Sequence, residues 1–231
     1  MCAAESRELP YKLVAGATPC RDGWLVVSAR LKGATFAPDF PRITGELLDI
    51  ITRRPAFSIV NLNAPMGAID LALRGERTPD VEARELTGYS VSTLRWRDQR
   101  PPWGDDADEP ENPNNYLRGR YGEIVENMAP YLQRTICEGL PELSFYQLNG
   151  ERPLEHAPFT EEGYHERRLL VGKVPGVTRI LDFVLDGVDR FQLLDVAALL
   201  WSSRRITSRA GKRVPSIPVW DEEGLRIEIF R

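Results

Sequence analysis

Three carboxylates stand where chemistry could be done. Asp195 interrupts the run Phe191-Gln-Leu-Leu-Asp195-Val-Ala-Ala-Leu-Leu-Trp201, with Phe191, Ala198 and Leu199 one turn away at helical spacing. An acid among such neighbours is costly to bury unless it is paired, hydrogen-bonded or bound to a metal. It reads either as a salt-bridged residue at the boundary of the apolar stripe or as a carboxylate aimed from a helix at the edge of a sheet. Glu138 and Glu142 frame Gly139-Leu-Pro141 at the start of an expected strand. Paired acids at such a point suit a metal site or general acid/base work, and two acids flanking a turn are also at home as plain solvated residues. Two neutral residues hold comparable places. Leu13 to Thr18 and Phe57 to Asn63 are apolar segments running into Gly/Pro turns, so Thr18 and Asn63 fall where a side chain is presented to a shared cleft.

Other chemistries find little support. His156 and His165 are nine residues apart with no cysteine nearby, which argues against structural zinc. Gly172-Lys173 leads into Val174 and lacks the upstream glycine of a phosphate-binding loop, and no Gly-x-Ser-x-Gly elbow occurs. Cys2, Cys20 and Cys137 are odd in number and widely spaced, and read as reduced thiols of a cytoplasmic protein. The basic run Arg204, Arg205, Arg209, Lys212 and Arg213 could hold phosphates, although cations at a helix C-terminus are expected on dipole grounds alone.

The elements that must position these residues follow from periodicity. Lys12–Ala17, the alternating stretch Trp24–Leu31 and Ala34–Ala37 predict an antiparallel meander of three strands. Ile43, Leu47, Ile50 and Ile51 predict a helix closed by Arg53-Arg54-Pro55. Phe57–Leu62 is a largely apolar strand suited to a sheet interior. Pro79–Leu86 opens like a short helix. Ile124, Met128, Tyr131 and Leu132 continue a helical pattern that Pro130 should kink, and Glu142–Leu148 reads as a strand. Thr160 can cap a helix, Asp189–Arg209 is the longest helix expected, and Leu225–Phe230 is a terminal strand. Residues 97–116 interleave prolines with acids and predict an exposed acidic loop, either a solvated insertion or a flap over a cleft.

The 231 residues suit a single domain with a sizeable core, and 42% hydrophobic with 28% charged residues is ordinary for a globular chain. A net charge of −4 gives no bulk attraction for a polyanion, so a nucleic-acid partner would need a local basic patch. No apolar run approaches the roughly 18 residues of a membrane span, and the charged first ten residues do not form a signal peptide.

Six segments, in order, resemble the domain of unknown function 429 family, whose members are predicted RNase H-like nucleases. Gly16-Ala-Thr18-Pro-Cys20-Arg21-Asp22-Gly23-Trp24 is similar to a family opening of Gly-Val-Asp-Gly-Cys-Arg-Gly-Gly-Trp, and Leu62-Asn63-Ala64-Pro65-Met66-Gly67 to Ile-Asp-Ile-Pro-Ile-Gly. Arg77-Thr-Pro-Asp80-Val-Glu-Ala83-Arg84, Glu138-Gly-Leu140-Pro141-Glu142, Phe191-Gln-Leu-Leu194-Asp195-Val196 and Glu222–Ile229 carry the remainder. The resemblance implies an α/β fold: an RNase H-like mixed five-stranded sheet flanked by helices, spanning residues 1–231, with the acidic loop as an insertion. It also implies acids on the first strand, a central strand and the last helix, where a pair of divalent ions clamps a phosphodiester. Here Thr18 and Asn63 replace two aspartates, Leu140 replaces a histidine, and Phe191 and Gln192 replace an acidic pair. Glu138, Glu142, Asp195 and Asp80 remain, and Asp22 could supply a displaced carboxylate.

Three functions follow as expectations. The first is a metal-dependent phosphodiesterase on nucleic acid, with Glu142, Asp195 and Glu138 holding Mg2+ or Mn2+ and with Thr18, Asn63, Asp80 and Arg84 lining the cleft. The second, favoured by the two neutral residues, is a degenerate member that binds a ligand or partner through the same cleft. The third is a small-molecule phosphate enzyme using a different set of acids.

Overall fold

The computed structural model describes residues 10–74, 77–95 and 115–231. Strands β1 (Lys12–Cys20), β2 (Gly23–Lys32) and β3 (Thr35–Pro38) form the expected antiparallel meander, with Thr18 opposite Leu25 and Cys20 opposite Gly23. Gly23 has φ +142°, and a Cβ there would meet the Thr44 carbonyl at 2.2 Å, so the turn needs glycine. Strand β4 (Arg42–Thr44) occupies the rest of the β2 edge that β3 leaves open. Helix α1 (Leu47–Thr52) follows, and β5 (Ile59–Leu62) returns parallel to β1.

Helices α2 (Ile69–Arg74), α3 (Thr78–Thr87), α4 (Val91–Arg95) and α5 (Asn115–Asn127) come next. A single 3-10 turn, Leu132–Arg134, then leads to β6 (Ile136–Glu138), parallel to β5. Beyond it lie α6 (Pro141–Leu148), α7 (Glu161–Val171), α8 (Thr178–Leu181) and α9 (Arg190–Thr207). A hairpin of β7 (Arg213–Trp220) and β8 (Arg226–Phe230) ends the chain. The fold is mixed α/β. Its main sheet runs β3-β2-β1-β5-β6 with β4 on β2, six strands instead of the five expected.

Two apolar layers sandwich this sheet. Strand alternation sends Val14 and Cys20 toward α9, where they join Val196, Ala197 and Leu200; Leu13, Ala15 and Ala17 join Val60, Leu62, Tyr121 and Ile124 on the α1–α5 side. Gly16 is the crease between β1 and α9, because a Cβ there would lie 2.5 Å from the Leu200 nitrogen and the Val196 oxygen. A capping box starts α9. Asp189 accepts from the Gln192 backbone at 2.8 Å, and the Gln192 side chain accepts from the Asp189 backbone at 3.0 Å. Gln192 also donates to the Pro19 carbonyl at 2.9 Å, and Ser203 to the Ala15 carbonyl at 2.5 Å. The long helix is thus tied to β1 at both ends.

Several local expectations are corrected. Residues 42–44 are strand, because the open edge of β2 recruits them, and the helix begins only at Leu47. Its first N–H, that of Leu47, is met by the Glu123 carboxylate, which accepts from Leu47 N at 2.6 Å and from the Trp24 indole at 3.0 Å. Residues 142–148 are helix, not strand. A short apolar run fits either state, and Pro141 at the first helical position favours the helix. The chain does not kink at Pro130: α5 stops at Asn127 before reaching it. Residues 96–114, and with them nearly all of the acidic loop, lie outside the described residues. Among the described residues no helix is long and apolar enough to cross a membrane.

Candidate functional site

The parallel strands β1, β5 and β6 end side by side, and the chain leaves each at the same sheet edge. Asn63 N donates to Ala17 O and Gly139 N to Leu62 O, both at 2.8 Å, so the turns begin hydrogen-bonded together. Open α/β sheets place ligands outside the carboxyl ends of their strands. Thr18 and Asn63 sit there on the α9 side, and Asn63 Nδ2 donates to Thr18 Oγ1 at 3.1 Å. The two neutral residues that replace expected aspartates are therefore in direct contact. Asn63 Oδ1 is buried without a partner. So are both polar atoms of Asn61, one step inside the sheet and fully buried.

Glu138 lies across the sheet. It is in register with Leu62, whose side chain belongs to the α5 layer, so its carboxylate faces that layer and not α9. Both oxygens are engaged. Oε1 accepts from Arg77 and Arg95 at 2.6 Å each, and Oε2 from Arg77 at 3.0 Å and from Met66 N at 2.7 Å. Arg77 also grips Asp80 through two bonds of 2.7 and 2.9 Å and caps the carbonyls of Met66 and Gly67. All four side chains are buried. Burial by itself would raise the Glu138 carboxyl, but Arg77 and Arg95 outweigh it and hold the group below the usual carboxylate range.

Glu142, in the first turn of α6, returns to the α9 side. Arg167 of α7 clamps it in bidentate fashion at 2.6 and 3.0 Å, while the remaining guanidinium nitrogen serves the carbonyls of His156 and Gly163. Burial pushes the Glu142 carboxyl up, and Arg167 only partly offsets it. Asp195, half-buried on α9, shares a shallow depression with Glu142, Arg167, Phe159, Phe191 and Pro141.

The structure therefore sorts the expected residues into three groups. Thr18 pairs with Asn63, Glu142 and Asp195 line one depression, and Glu138 joins Asp80 in a separate buried network. Arg84 falls outside all three, on the exposed face of α3, where its carbonyl accepts from Gly88 N. Asp22 is exposed in the β1–β2 turn. Three residues that matter were not singled out from the sequence: Arg77, Arg95 and Arg167. Only Arg77 carried a signal, as the first residue of the Arg77-Thr-Pro-Asp80 run. Of the two cysteines among the described residues, burial raises the Cys20 thiol and pushes Cys137 up to about 12, which disfavours the thiolate of each.

The family model described as a protein of unknown function, DUF429, matches residues 16–219. The chain belongs to the DUF429 family. No curated protein and no solved structure matches it. The matched span of this DUF429 chain opens inside β1 and closes inside β7, so it contains every residue of the site from Thr18 to Asp195.

A pair of divalent cations is a poor fit for this donor set. Mg2+ and Mn2+ take hard anionic oxygens, with several carboxylates needed to hold two dications close together. In this DUF429 chain the oxygens of Glu138 and Glu142 are already spent on arginines, and Thr18 accepts from Asn63. Among the described residues no group of three or more His, Cys, Asp or Glu is placed to hold a metal.

Proposed function

We propose that this DUF429 chain has an RNase H-like fold without metal-dependent nuclease chemistry, and that it binds a ligand or partner at the edge where β1, β5 and β6 end. The strand order β3-β2-β1-β5-β6 and the crossing of α9 over β1 support the fold reading. They bring a first strand, a central strand and a last helix to one edge, as the family resemblance implies. One observation carries the functional reading: the retained glutamates are neutralised by the protein's own arginines, Glu138 by Arg77 and Arg95 and Glu142 by Arg167. The recognition surface is then the depression lined by the Asp195 carboxylate and the rings of Phe159 and Phe191, with the Thr18–Asn63 pair held apart from it at the ends of β1 and β5. The unpaired Cys20 and Cys137 agree with a reducing, cytoplasmic setting.

The test is cleavage of single-stranded and duplex DNA, RNA and hybrids with Mn2+ or Mg2+, alongside thermal melting with each ion. No cleavage and no metal-dependent rise in Tm are expected, because an ion that binds only the native state would stabilise it. Cleavage at ordinary enzyme rates, abolished in Asp195→Asn, would overturn the proposal.

A further inference from the structure

At the other end of α9 the charge reverses. Arg204 and Arg205 close the helix, Arg209 and Lys212 follow in the link, Arg213 opens β7, and Arg231 ends the chain beside them. The backbone holds these elements together: Lys212 and Arg231 exchange hydrogen bonds of 3.0 and 2.8 Å, and Gly211 N donates to Arg205 O at 3.1 Å. Among the described residues two side-chain carboxylates pair with the patch, and each is already shared, Glu151 between Lys212 and Arg231 and Glu228 between Arg213 and Arg226. Among the described residues Arg204, Arg205 and Arg209 pair with no carboxylate. In a chain of net charge −4 this is a segregated positive face.

A helix C-terminus carries only about half a negative charge, which is too little to account for three unneutralised arginines beside further cations. The crowding has a local signature. Burial, with Arg231 nearby and Glu151 only partly compensating, lowers the Arg205 guanidinium from its usual range. The Nε atoms of Arg205 and Arg231 are buried without partners. Four of the guanidiniums sit on rings: Arg204 on Phe36 at 5.1 Å, Arg205 on Trp201 at 4.9 Å, Arg231 on Tyr146 at 5.4 Å and Arg213 on Phe230 at 5.6 Å. Stacking of this kind orients the plane of the guanidinium. Arg205 spends one nitrogen on the Ala210 carbonyl, Arg213 one on Glu228 and Arg231 one on Gln147. The forks turned to a ligand are therefore those of Arg204 and the exposed Arg209, with the remaining nitrogens of the others beside them.

We propose that this face docks a nucleic-acid strand through its phosphates. Arg209, Lys212 and Arg213 are exposed and Arg204 and Arg205 half-buried, so the accessible cations run from the end of α9 along the link into β7, which suits a polymer better than a single phosphate. A flat anionic membrane is disfavoured, because Asp221, Glu222 and Glu223 occupy the turn at the far end of the same hairpin. Arg205 lies ten residues beyond Asp195, roughly 15 Å along the helix. The patch and the cleft therefore occupy different parts of the helix.

The experiment is fluorescence anisotropy with labelled 20-nucleotide RNA and DNA single strands over a salt series, with phosphatidylserine vesicles as a separate arm. Binding that weakens with salt is expected. The Arg204→Gln/Arg205→Gln/Arg209→Gln variant should bind about tenfold or more weaker, and its log–log salt slope should fall by about 2, at roughly 0.7 per single-strand phosphate contact. Arg53→Gln/Arg54→Gln, which removes two cations at the C-terminal end of α1, should leave both unchanged. Should the triple variant misfold, Arg209→Gln alone is exposed and should lower the slope by about 0.7. Absence of strand binding, equal loss in the α1 variant, an unchanged slope, or binding to vesicles but not to strands would overturn the proposal.

Discussion

Replacing Arg77 by methionine tests whether Glu138 is a structural counter-ion or a reactive acid. The substitution keeps an unbranched stem and removes a guanidinium that makes two bonds to Glu138, two to Asp80 and two to backbone carbonyls. Glu138 would retain Arg95 and Met66 N, but Asp80, 1% exposed, would lose its guanidinium. Removing one partner of a buried ion pair costs about 3–5 kcal/mol, because the stranded charge stays in a poor solvent. For a chain of this size that corresponds to a Tm lower by roughly 6–20 °C.

The loss should also depend on pH in a definite sense. The Glu138 carboxyl is held below its ordinary 4.5 in the folded protein, so its contribution is fully present above that value and fades as pH falls through the folded pKa. Wild type and variant should therefore differ most at neutral pH and converge in acid. Urea titrations followed by circular dichroism at pH 7 and pH 4 read both effects. A loss under about 1 kcal/mol at pH 7, or a gap that widens in acid, would refute the reasoning.

Glu142 should behave in the opposite way. Its carboxyl is raised by burial, so its stability contribution declines as pH rises from the ordinary 4.5 through the folded value, and Glu142→Gln should abolish that decline in midpoint-against-pH curves. Thr18→Asp with Asn63→Asp puts two carboxylates where the present side chains lie 3.1 Å apart. Like charges so close should lower the metal-free melting temperature, and added Mn2+ should restore it in a thermal-shift titration; no response to Mn2+ would mean the site cannot be rebuilt by charge alone. Gly16→Ala drives a methyl to within 2.5 Å of α9 backbone and should cost about 1–3 kcal/mol in chemical denaturation.

Legibility from sequence tracks how local each determinant is. The β1–β3 meander, the Thr160 cap, the α9 stripe and the terminal strand are encoded in spacings of a few residues, and each appears as expected. Strand β6 is only three residues long, and β7 contains Pro215 and Pro218, which argue against a strand until a register shift is allowed. Residues 42–44 and α6 were misread because pairing with β2 and a proline at a helix start override an ambiguous apolar pattern. The contact of Thr18 with Asn63 was readable, since both end strands of one expected sheet. The arginine partners were not: Arg77, Arg95 and Arg167 reach their glutamates across 61, 43 and 25 residues. An exposed arginine and a buried one look alike in a sequence.

The Gly16 crease has one more implication. With α9 pinned by Gln192 to Pro19 and by Ser203 to Ala15, the helix can neither slide nor lift without breaking both tethers. The backbone at positions 18 and 195 is therefore held in one relation by bonds that neither side chain makes. Exchanging the side chains at these positions then changes the chemistry of the edge without calling for a new main-chain path.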